Sequence, residues 1–222
     1  LGKGCFGNGK VKEKSIAMVV RTRVKWRRVL FACLLVLLVL SGFGIIVREA
    51  GRKEDARMRE ALLRQSVDVA AGINPHFLQG LSFTSEDAQR PGFQMTRELL
   101  RRYAVHAGIE SLYTMALRDG RIVFGPESIP EDHPLASAPG TVYLQPSPRD
   151  FDLFHTGEPH VTGPATDEYG TFVSALSPVV DDQNGKVVAV VGIDVEASDW
   201  LADVRAAQLR TSGALFMLLL GL

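Results

Sequence analysis

The sequence predicts an α+β domain: a central antiparallel sheet, a long N-terminal helix leading into it, and a transmembrane helix on either side. Three observations carry that reading. Residues 29–47 hold no charged side chain, the hydrophobic period changes from 3.6 to 2 after Gly108, and the charges are segregated along the chain. The 222 residues include 25 Lys and Arg and 25 Asp and Glu. Nine of the basic residues fall in residues 1–28 against Glu13 alone, so that segment carries +8 and the remainder −8. A basic arm on an acidic body argues against a nucleic-acid partner, whose basic face would belong to the folded part.

The 19 residues of 29–47 are uncharged, and at about 1.5 Å per residue they rise about 28 Å, close to the ~30 Å hydrocarbon core of a bilayer. A cleaved signal peptide would need a shorter basic region and an Ala-x-Ala site, and neither stands out. The basic arm then fixes the N-terminus in the cytoplasm and residue 48 onward outside. Residues 211–222 are again uncharged and read as the truncated start of a second span. The expected division is a basic cytoplasmic arm (1–28), a transmembrane helix (29–47), an extracytoplasmic domain (48–210) and the start of a second transmembrane helix (211–222). Cys5 and Cys33 lie in the arm and the first span. The exported part therefore has no disulfide framework and no cysteine metal site, and is long enough to bury a core without them.

Residues 48–73 continue as a helix in which Met58, Leu62, Val69 and Ile73 form a stripe suited to a neighbouring helix, hence to a homodimer. Asn74-Pro75 interrupts it. A second amphipathic helix covers 93–107, with Leu99, Leu100, Tyr103, Ala104 and Ala107 grouped on one side. Alternation over 111–117, a turn at Asp119-Gly120 and a return over 121–124 make a hairpin. Residues 125–164 read as a long loop with a helical turn or two near 150–155, and loops of that length are often binding loops. Two strands follow, 171–179 and 186–195, joined through an Asn184-Gly185 turn. Residues 197–210 return to helix.

Catalytic signals are weak. Gly2-Lys3-Gly4-Cys5-Phe6-Gly7 matches a G-x-G-x-x-G loop, but no strand precedes it and no amphipathic helix is expected after it. The five histidines have no metal-binding spacing and read as isolated surface residues. Ser174 and Ser177 sit in a strand pattern without a nucleophile elbow. No catalytic residue, metal or cofactor is expected. A pocket for a small polar ligand is better supported, because apolar walls and a few oriented polar groups are what such a pocket needs. The candidates are Phe124, Tyr143, Asp167, Tyr169, Thr171, Ser174 and Asp194. Tyr143 and Tyr169 alternatively cap the core, Asp167 starts a turn, and Asp194 either meets a ligand's ammonium group or N-caps the following helix.

The stretch from Gly163 to Pro178 (GPATDEYGTFVSALSP), followed by Gly192-Ile193-Asp194-Val195 and Trp200, resembles the pattern GPYTDxWGTWVSALAPI…GxDVxxxxW of single-Cache extracytoplasmic sensor domains. Asn74-Pro75 and Pro139-Gly140 with Tyr143 fit it as well. Ala165, Tyr169 and Phe172 stand where that pattern favours Tyr, Trp and Trp. The resemblance covers residues 48–210. It implies a PAS-like Cache fold and a bacterial inner-membrane receptor, with the sensor domain outside and a sensor histidine kinase as output. Input to a diguanylate cyclase or chemoreceptor is the alternative within that class, and a membrane-anchored assembly module is the alternative outside it.

Overall fold

The computed structural model describes residues 8–221. The glycine-rich match at residues 2–7 lies outside the described residues. Helix α1 (Asn8–Gly72) runs through the expected arm and the first apolar run. It is followed by α2 (Pro75–Gln79), a 3₁₀ turn (Ser85–Gln89) and α3 (Pro91–Ala107). Strands β1 (Ser111–Arg118) and β2 (Arg121–Glu127) then lead to α4 (Pro148–Thr156). Strands β3 (His160–Thr166), β4 (Thr171–Val180) and β5 (Val187–Glu196) precede α5 (Ala197–Leu220).

The chain falls into two units. One comprises the helical segments up to Ala50 and from Gln208. Among the described residues one helix, within Arg28–Gly72, is long and apolar enough to cross a membrane by length and composition. The second apolar run is helical as part of α5 up to Leu220. Among the described residues it does not give a second helix of that kind, so the expected second span is not visible.

The other unit, Gly51–Ala207, is α+β with a five-stranded antiparallel sheet in the order β2-β1-β5-β4-β3. The almost wholly apolar β5 is central, as a strand buried on both faces should be. Period-2 alternation divides its side chains. Ala189, Val191 and Ile193 enter the larger core under α1 and α3, and Val190 enters a second core on the opposite face beside Leu153 of α4.

Three expectations are corrected. Leu62, Val69 and Ile73 do not form a seam for another copy: they are buried in the domain's own core, with Met58 packed against it. A helix laid on a sheet needs the same apolar stripe as a helix laid on a helix, so periodicity alone could not separate the two. The buried face of α3 is Phe93, Thr96, Leu100 and Ala104, whereas Leu99 is 39% exposed. Finally, part of the expected loop is strand. β2 extends to Glu127, and β3 pairs with β4 from His160↔Leu176 to Thr166↔Thr171, with an irregularity between Thr162 and Ala165. Pro164 hid β3 from the sequence, yet an edge strand tolerates a proline.

Candidate functional site

On the α4 side of the sheet, near one end of β1 and β5, lies a cavity of about 40 Å³ lined by side chains from six parts of the chain, with Phe172 contributed by β4. Strand β5 brings Asp194 and β1 brings Tyr113; β2 brings Phe124 and Glu127. Asp167 and Tyr169 come from the β3–β4 turn. Tyr143 comes from the segment after β2, which folds back along that strand, its N–H donating to Ile122 O at 2.9 Å. Ser137 comes from the same segment.

Glycine makes the central contact possible. Tyr113 is paired with Gly192 across β1 and β5, and a Cβ on Gly192 would lie 2.3 Å from the Tyr113 ring. With no side chain there, the ring lies across β5 and its hydroxyl donates to Asp194 Oδ1 at 3.0 Å. Phe124 stands at the middle of the aromatic wall, edge-on to Tyr113, Tyr143 and Tyr169 at centroid distances of 5.5, 5.8 and 5.5 Å. Asp167 fills two roles. Its Oδ1 accepts the N–H groups of Tyr169 (2.8 Å) and Gly170 (3.1 Å), closing the turn, while Oδ2 accepts the Tyr143 hydroxyl at 3.1 Å. Glu127, 6% exposed, accepts the Ser137 N–H at 2.8 Å, and Ser137 Oγ donates to the Tyr169 hydroxyl at 2.9 Å. That last bond leaves the Tyr169 proton free to donate elsewhere.

Three carboxylates, those of Asp194, Asp167 and Glu127, thus meet three phenols, and no Lys, Arg or His is among the described residues that line the cavity. The electrostatic consequences are large. Burial, resisted by hydrogen bonds from Ser174 and Tyr113, pushes Asp194 up to about 6, and the charge of Asp167 pushes the same way. Burial likewise pushes Glu127 up to about 7, against the Ser137 N–H and the charge of Arg97. Tyr113 and Tyr143 are raised above the ordinary phenol value by burial and by Asp194 and Asp167 respectively, so both stay protonated donors. A site of this kind suits a cation carrying N–H donors. An anion would meet like charge and find no positive partner.

The candidates named from the sequence are placed as follows. Phe124, Tyr143, Asp167, Tyr169 and Asp194 line the cavity. Ser174 pairs with Asp194 across β4 and β5 and hydrogen-bonds its carboxylate. Thr171 is exposed at the end of β4, its hydroxyl 2.9 Å from that of Thr166. Asp194 lies within β5 and its carboxylate engages Tyr113 and Ser174, on the cavity side of the strand. Sequence reasoning missed Tyr113, Glu127, Ser137 and Phe172 as lining residues. Among the histidines, His160 is buried against Asp150 Oδ1 at 3.1 Å, contrary to the surface placement expected, while the other four are exposed. Ser177 bonds Ser66 of α1 at 2.7 Å inside the core. Among the described residues no group of three His, Cys, Asp or Glu is placed to hold a metal ion.

No family model and no curated protein matches the chain. Among solved structures it is similar to the ligand-binding domain of the Campylobacter jejuni chemoreceptor Tlp3 in complex with L-valine. There the identity is 13%, the TM-score 0.44, and the match covers 74% of this chain and 63% of that one. It is also similar to the E. coli DcuS sensor domain, at 16% identity and TM-score 0.45, covering 66% of this chain and 97% of that one. A third is the ligand-binding domain of the Pseudomonas aeruginosa amino-acid chemoreceptor PctC with GABA, at 15% identity, TM-score 0.44, and coverages of 72% and 65%. The chain thus spans about 63% of the length of the Tlp3 domain. The first and third are described as ligand-binding domains of chemoreceptors and the second as a sensor domain.

Proposed function

We propose that this chain is the input part of a bacterial inner-membrane receptor that binds a small ammonium-bearing ligand outside the cell. The observation that carries the reading is the cavity, where three carboxylates and three tyrosines converge with no cationic side chain among its described lining. A cation beside aromatic faces and desolvated carboxylates gains cation–π attraction and charge-assisted hydrogen bonds together. A concave polar site also favours a sensor over an assembly module, which would present a flat apolar face. In this reading residues 1–28 are cytoplasmic, 29–47 and the run from 211 span the membrane, and 48–210 lie outside. A histidine kinase output rests on the sequence resemblance alone. Pairing of two receptors would have to use surfaces other than the stripe of Leu62, Val69 and Ile73, which the sheet occupies.

The test is calorimetric titration of the chain with methylammonium chloride and, separately, sodium acetate at pH 7.5. Methylammonium should bind and acetate should not, and Asp194→Asn should weaken methylammonium by roughly 10- to 100-fold, the loss of about 1.5–3 kcal/mol for a hydrogen bond to a charged group. Binding of acetate in place of methylammonium would overturn the reading.

A further inference from the structure

The cavity is too small to be the whole site. About 40 Å³ admits roughly three waters at ~10–15 Å³ each, enough for an ammonium head and little else. It does not end blindly. A groove of about 1020 Å³ runs between the C-terminal turns of α3 and the segment after β2, and it shares Ser111, Ile129, Leu135, Phe172 and Asp194 with the cavity. Asp194 therefore belongs to both compartments. The groove wall contributed by α3 includes Val105, which is 80% exposed, with Ala104 and Ile109 beside it. The carboxylates of Glu110 and Glu196 also line it, on the side of Asp194 and Ser111. The groove is also lined by His106, His133 and the guanidiniums of Arg101 and Arg102, the latter two engaged by Glu98 at 3.0 and 2.7 Å and so partly neutralised.

We propose that cavity and groove are one two-compartment site for an elongated organic cation, its ammonium head against Asp194 in the inner cavity and an apolar body of several carbons along Val105, Ile109 and Leu135. This rests on the ammonium reading above and extends it. The head alone satisfies the charge, but the apolar groove wall stays wet until a body covers it, and each methylene buried there should tighten binding about fourfold. The inference therefore separates a long-chain amine from a compact one, which the inner cavity by itself does not.

The experiment is a titration of the full chain in detergent with methyl-, n-butyl- and n-hexylammonium, with Asp194→Asn as the blank for partition into detergent. Affinity should climb along the series by well over tenfold, and Val105→Ser, an uncharged change on an exposed helix position, should flatten the climb while leaving methylammonium unchanged. An Asp194-dependent methylammonium signal with no gain along the series would overturn the two-compartment site and leave the ammonium reading standing. A gain along the series that Val105→Ser does not alter would place the body outside the groove and overturn it as well. Absence of any Asp194-dependent binding would overturn both readings.

Discussion

The two-residue period of β5 carries Asp194 to the cavity face with Val190 and Gly192, and the empty position at Gly192 lets Tyr113 reach it. The cost of that placement is a carboxyl whose ionised form is disfavoured. Asp194 is raised from 3.8 to about 6, and Glu127 from 4.5 to about 7. An acid with a raised folded-state pKa adds stability below its unfolded value and loses it as pH rises through the folded one. The ligand-free domain should therefore become less stable from about pH 4 to pH 7, Asp194 acting over the lower part of that window. Two pKa units correspond to about 3 kcal/mol, so Asp194→Asn should raise the unfolding free energy at pH 8 by up to that amount and leave it little changed at pH 4. Urea titrations across this range check it, and a pH profile identical in the variant would refute it. Much of this cavity was legible in the sequence, because Phe124, Tyr143, Asp167 and Tyr169 are aromatic and acidic groups crowded around one loop. Tyr113 was not, since an alternating strand does not announce which face will be wet, and Glu127 was not, since it lay in what read as loop.

Helix α1, strand β3 and helix α5 meet at a clasp of polar groups within the Gly51–Ala207 unit. Trp200 Nε1 donates to Asp55 Oδ1 at 2.8 Å, Arg59 Nε donates to Asp55 Oδ2 at 2.9 Å, and Arg59 Nη2 donates to Gly163 O at 2.8 Å. The guanidinium also lies 5.6 Å from the centre of the Trp200 ring. Burial pushes Asp55 up, but the hydrogen bonds from Arg59 and Trp200 outweigh it and hold the carboxyl below its ordinary value. Because Asp55 serves both donors, their contributions should not add. Arg59→Ala and Trp200→Phe should each destabilise the domain by about 1–2 kcal/mol, and the double variant by less than the sum. Strict additivity in denaturant unfolding would mean that the clasp is not one unit. Periodicity and turn residues announced the helices and both hairpins, but not this clasp. It joins residues 145 positions apart in sequence, and a single sequence carries no signal for such a pair. The missed β3 has the same origin, since its strand character comes from pairing with β4 and is masked by Gly163-Pro164.

In the proposed receptor reading, a signal would leave the cavity through the continuity of the chain between β5 and α5. Asp194 stands three residues before Ala197, where α5 begins, and α5 then runs unbroken to Leu220. Trp200 is buried in the core that also contains Ile193, so the first turn of α5 moves with the sheet and not with solvent. A ligand that binds one arrangement of this segment better than another shifts the balance by its differential affinity alone, and about 1–3 kcal/mol is enough for a receptor to respond. A stiff helix is needed to pass that bias on. Two glycines inserted after Ala207 would cost about 1 kcal/mol each in helix stability and would also turn the following residues by about 200° at 3.6 residues per turn. They stand well away from Asp194, Tyr113 and Asp167, so binding of a short alkylammonium should be unchanged. Output of the complete receptor should no longer follow that ligand. To separate loss of stiffness from loss of phase, a two-alanine insertion at the same site restores helix propensity while keeping the rotation. If stiffness governs, the alanine variant responds and the glycine variant does not; if phase governs, both fail. A glycine variant that still responds fully would show that α5 only tethers the domain, and transmission through this helix would have to be abandoned.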